Sequence, residues 1–187
     1  MASLLPPAPN IGSQIERAVI AYLIWFFNDQ VAALGLNFYF SNDWKIRVAP
    51  LIDVLAHKST ETIPHTRNES YQVRIEVKWP GNNEVGQPNP DINWVTINAI
   101  IGMVMAAMSA TDAGGADRVP VITAADMTTQ GNLLATTGSE QDQENNADMA
   151  GLTVEYVGYQ GAQRAESSEG TFFIKEVRNF EIRAGNY

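Results

Sequence analysis

The sequence predicts an α+β fold: an antiparallel or mixed β-sheet with two helices packed on one face, an extended N-terminal arm and long loops. Three observations carry this. Residues 13–34 and 94–110 place apolar side chains at helical spacing, residues 71–79 alternate strictly, and two strand-like runs flank a turn near the end of the chain. The resulting order is helix, three strands, helix, irregular region, two strands, and its simplest packing is one layer of helices on one sheet. The length of 187 residues suits a single domain over 1–187, with residues 1–12 as the arm and residues 138–150 as an acidic loop.

The arm is rich in proline (Pro6, Pro7, Pro9), which disfavours helix at its own position and at the one before. It has no basic leading segment, so it is a poor signal peptide. The first helix, over 13–34, has capping-box form, with Ser13 as N-cap, Glu16 three residues on, and Gly35 as the far cap. Residues 18–27 are apolar without a break. A surface helix shows one apolar stripe, so this one is expected to be buried on more than one side, in part by a second subunit. The run is too short to span a bilayer, which needs about 20 apolar residues.

Residues 36–41 and 48–58 read as short strands, with a polar turn containing Trp44 between them. Tyr71, Val73, Ile75, Val77 and Trp79 face one way in the third strand, and Gln72, Arg74, Glu76 and Lys78 face the other. That second face is expected to meet water or a neighbour. The second helix carries Trp94, Ile97, Ile101, Val104, Met105 and Met108 on one stripe, with Asp91 or Asn93 as its cap. Residues 119–137 fit a short strand, a short helix or an ordered loop. Residues 152–163 and 171–183 read as a hairpin in which Glu176 and Arg178 interrupt an apolar face, suggesting a bulge or an overrunning strand.

The composition narrows the function. The chain is 45% apolar, has no cysteine, and carries a formal charge of −9. Disulfide scaffolds and thiolate metal sites are excluded, and tight nucleic-acid binding, which uses a basic face, is disfavoured. There is no nucleophile elbow and no phosphate-binding loop. His57, Glu61, His65 and Glu69 recur every four residues, but Pro64 makes a metal-binding helix a poor reading and a polar strand connection a better one.

The sharper chemical candidate is Asp53 on the second strand with Glu76 and Lys78 on the third. Their types and order match a magnesium-dependent nuclease site of the PD-(D/E)xK kind. The same Glu-x-Lys spacing is also what an exposed strand face produces. The four tryptophans read as core or interface anchors rather than a stacking platform. The residues expected at a subunit interface are Tyr22, Trp25, Phe26, Trp44 and Trp79.

The long first helix, the run Val48-Ala49-Pro50-Leu51-Ile52-Asp53-Val54, the strand 71–79, the helix 97–110 and the closing strand 176–182 together resemble tail-terminator and related tail-completion proteins of long-tailed bacteriophages. The resemblance covers most of the chain as element order, without a diagnostic short motif; this chain is longer, chiefly over 112–151. It implies a homo-oligomeric ring, usually a hexamer, that caps the tail tube at the neck and meets the head connector or stopper protein. It also implies no catalysis, no metal and no cofactor, and a place in the virion after assembly in the host cytoplasm. Genomic DNA would pass through without specific binding, which an acidic channel favours.

Overall fold

A computed structural model describes residues 10–41, 46–59, 69–80, 94–108, 127–128, 151–165 and 173–186. Its elements are α1 (Ile11–Phe27), α2 (Asp29–Leu34), β1 (Asn37–Phe40), β2 (Leu51–Lys58), β3 (Glu69–Pro80), α3 (Trp94–Met108), β4 (Leu152–Ala165) and β5 (Phe173–Asn186). The strands form one mixed five-stranded sheet in the order β1-β2-β3-β5-β4. β1 runs parallel to β2, and every other pairing is antiparallel. The class is α+β, with α1 and α3 against the same face of the sheet.

The first helix differs from its expectation at both ends. Asn10, not Ser13, is the N-cap: its side chain accepts a hydrogen bond from the Ser13 backbone N–H at 3.4 Å. Residues 11 and 12 therefore belong to the helix and not to the arm; the rest of the arm, residues 1–9, lies outside the described residues. The helix also does not run on to residue 34. Asn28 sits at φ 46, ends α1, and starts the six-residue α2. Asn is among the few residues that tolerate positive φ, which is why a polar Asn-Asp pair suffices to break the run.

Gly35 closes α2 in the left-handed conformation at φ 62, and Leu36 N–H returns to Val31 C=O at 3.0 Å. A Cβ at Gly35 would meet nothing within 4 Å, so substitution there acts through the backbone alone. Gly35→Ala is expected to lower stability by about 1 kcal/mol, and Gly35→Asn by less, as read from urea midpoints.

The core lies between the helices and one sheet face. Ile15, Val19, Leu23 and Phe27 of α1 and Ile97, Ile100, Val104 and Met108 of α3 pack with Ile52, Val54, Val73, Ile75, Val77, Phe180 and Ile182. The alternation read in residues 71–79 holds, with Trp79 partly buried at the core's edge. Most of the burial that α1 needs is thus supplied by its own chain.

The closing hairpin corrects another expectation. β5 pairs with β3 without a break, so the interruption at Glu176 and Arg178 is not a bulge in that strand. By register they share the helix-side face with Val77 and Ile75, where they pair with each other at 3.3 Å. The irregularities lie in β4 instead, between Val154 and Tyr156 and between Tyr159 and Gly161.

Candidate functional site

Two features of the described surface invite a functional reading. The first is the outer face of the sheet. Asp53 on β2 stands directly opposite Glu76 on β3, so their side chains leave the sheet on the same side. Leu51, Tyr39 and Val177 share that side by register and are buried, which excludes water from the carboxylates. The Asp53 and Glu76 side chains are 3% and 4% exposed. The expectation of a simple water-facing polar surface therefore fails at its centre.

Two buried carboxylates in adjacent strands repel each other unless cations join them. Lys78 does this directly, bonding Asp53 Oδ2 and lying 3.0 Å from Glu76 Oε2. Arg47 Nε reaches Asp53 Oδ1 at 3.1 Å. Lys175 Nζ lies 2.6 Å from Glu76 Oε1, and Arg74 Nε lies 2.7 Å from the same oxygen without its N–H aligned on it. Burial alone would push the Glu76 carboxyl up; the bonds from Lys175 and Lys78 outweigh it and hold the group below the usual carboxylate range.

Arg47 owes its place to the short segment before β2. Tyr39 Oη donates to Ile46 C=O at 3.2 Å and accepts from Val48 N–H at 3.1 Å, which pins that segment beside β1. Lys175 arrives from β5 because the β3–β5 register sets it opposite Lys78.

The structure thus brings Asp53, Glu76 and Lys78 together, as the nuclease reading requires. It also places a cation at each of the four carboxylate oxygens. Four cations surround two carboxylates, so the cluster is net positive before any metal arrives. A magnesium site is built the other way, with carboxylate oxygens open to the ion. These ion pairs tie β2, β3 and β5 together.

The histidine–glutamate ladder does not form one face. His57 is exposed on β2, Glu69 begins β3, and Glu61 and His65 lie outside the described residues. Glu69 is held below its usual range by a bond from Lys58 and another from Tyr71 at 2.5 Å; burial, with Glu69's charge, pushes the Tyr71 hydroxyl up. Among the described residues no group of three or more acidic or histidine side chains is placed to hold a metal.

The second feature is aromatic. Trp25 and Phe26, at the C-terminal end of α1, are 50% and 38% exposed. They are not isolated. The Tyr22 ring lies 5.7 Å from Trp25 and 6.3 Å from Phe26, Phe26 lies 6.4 Å from Phe27, and Phe27 lies 6.2 Å from Phe38. This chain of rings carries the core outward to the surface. Of the other residues expected at an interface, Tyr22 is buried within its own subunit and supports Trp25 from beneath. Trp79 is half-buried, and Trp44 lies outside the described residues. Trp94, which the sequence reads as a core or interface anchor, and Val95, which no sequence signal singles out, are also exposed at the start of α3. Helical spacing had assigned Trp94 to the core stripe.

Comparison with protein-family models and with curated proteins gives no match. No helix among the described residues is long and apolar enough to cross a membrane.

Proposed function

We propose that this chain is a non-enzymatic structural subunit that assembles into a ring, of the tail-terminator type found at the neck of long-tailed phages. The observation that carries the reading is the Trp25–Phe26 pair. Large aromatics joined to the core yet left open are what a subunit contact uses as anchors. The element order on which the phage resemblance rests supports it, and so does the cation-saturated state of Asp53 and Glu76. In this reading the ring is a hexamer between the tail tube protein and the head connector. The net charge of −9 keeps passing DNA from adhering, and the protein resides in the virion after assembly in the host cytoplasm.

Sedimentation velocity tests the contact. Wild-type protein is expected to sediment as a discrete oligomer, and Trp25→Ser combined with Phe26→Ser as a folded monomer with unchanged far-UV circular dichroism. Equal sedimentation of the two proteins would remove the aromatic pair from the interface. Magnesium-dependent cleavage of duplex DNA that disappears in Glu76→Gln would replace the structural reading with the nuclease one.

A further inference from the structure

The cluster on the outer sheet face is layered by charge. Its carboxylates, Asp53 and Glu76, lie beneath the surface, while Arg47, Arg74, Lys78 and Lys175 lie over them with partly exposed side chains. The surface therefore presents positive charge, in a chain whose total is −9. Beside Arg47, Ile46 and Val48 are exposed apolar side chains, so the basic patch has an aliphatic margin. The opposite charge is just as concentrated. Between α3 and β4, residues 109–150 carry seven acidic side chains (Asp112, Asp117, Asp126, Glu140, Asp142, Glu144, Asp148) against one basic residue, Arg118.

We infer that the basic outer face of the sheet is a subunit contact whose occupant is the acidic stretch 138–148 of a second copy of this chain. The inference rests on the ring reading and supplies the polar half of its contact. The patch and its occupant are different regions of the chain, and in the ring reading the contact runs head to tail instead of being reciprocated across a two-fold axis. Head-to-tail contacts of that kind close into rings, whereas self-complementary ones stop at dimers. Charge complementarity also fixes register and speeds encounter. Duplex DNA is the competing polyanion, but the acidic remainder of the chain repels it at long range.

Zero-length carbodiimide coupling tests this on light and 15N-labelled protein mixed in equal amounts, then unfolded and refolded together so that both kinds of subunit share one oligomer. The expected product joins Lys175 to Glu140, Asp142, Glu144 or Asp148 in mixed light–heavy peptides, which form only between copies. The variant carrying Glu140→Gln, Asp142→Asn, Glu144→Gln and Asp148→Asn should lose that product. Its oligomer should also dissociate at about tenfold higher concentration, as should that of the wild type on moving from 50 to 500 mM salt. Coupling confined to light–light and heavy–heavy peptides would mean that the stretch covers its own sheet, and would overturn the inference. So would an intact, salt-insensitive oligomer in the variant, although the ring reading would then stand. Retarded migration of a duplex on wild-type protein, with no such coupling, would assign the face to nucleic acid instead. An uncoupled monomer would fail both readings together.

Discussion

Glu16→Ala is expected to remove about 3 kcal/mol of stability, more than substitutions elsewhere on α1 outside the core. Glu16 is 1% exposed, and its carboxylate accepts three bonds. Ser41 N–H donates at 3.1 Å, Ser41 Oγ at 2.8 Å and Ala56 N–H at 2.7 Å. One side chain on the helix thus satisfies backbone donors at the end of β1 and within β2. Alanine leaves the Ala56 N–H without its acceptor between helix and sheet, and an unsatisfied donor there costs more than a hydrogen bond gains, whereas the exposed Ser41 turns to water. Glu16→Gln keeps one acceptor oxygen but turns an N–H₂ toward the donors, so a loss of about 1–2 kcal/mol is expected. Urea unfolding measures both, with an unchanged slope showing that the denatured state is not altered. A loss below about 1 kcal/mol for alanine would mean that the helix is held by packing alone.

Lys78→Met is expected to destabilise by about 3 kcal/mol at neutral pH, because it takes the shared cation from two buried, facing carboxylates. Its pH dependence separates this cause from lost packing. In the wild type, Glu76 titrates below its ordinary value. The stability this supplies is complete above the unfolded carboxylate range and is lost as pH falls through the folded value. In the variant the two facing carboxylates lack their shared cation, and protonating Glu76 relieves the repulsion. The difference between the proteins should therefore be largest near pH 7 and shrink toward about pH 4. Thermal unfolding across that range reads it. A constant difference at all pH values would show that Lys78 acts through its aliphatic stem.

Where period alone decides, the chain is readable. Val73, Ile75 and Val77 against Arg74, Glu76 and Lys78 gave the third strand, its buried face and the convergence of Glu76 with Lys78, since a strand has no other way to place every second residue. Ile97, Ile101, Val104 and Met108 gave α3 in the same way. What depends on register between distant strands was not readable. Lys175 joins Glu76 only because β5 lies beside β3, and no local pattern sets that pairing. Arg47 comes from a segment outside any strand, held by Tyr39.

Glu16 shows how a local rule can hide a tertiary role. Its spacing from Ser13 is that of a capping box, yet Asn10 takes the cap and Glu16 turns inward to β1 and β2. Asn28 shows the reverse, because a polar residue with no helix-breaking proline or glycine beside it ends α1 through positive φ. Tyr22 and Trp25, three residues apart on one helix, were expected in the same role. The structure buries the first and exposes the second, because the sheet covers only part of the α1 circumference.

Whether this chain closes on itself in a ring is decided by native mass spectrometry of the purified protein, with negative-stain imaging of the same sample. A single closed species of about six copies with a central hole is expected. A monomer at every concentration, with no ring in the images, would contradict it and leave Trp25 and Phe26 as surface aromatics without a subunit to meet.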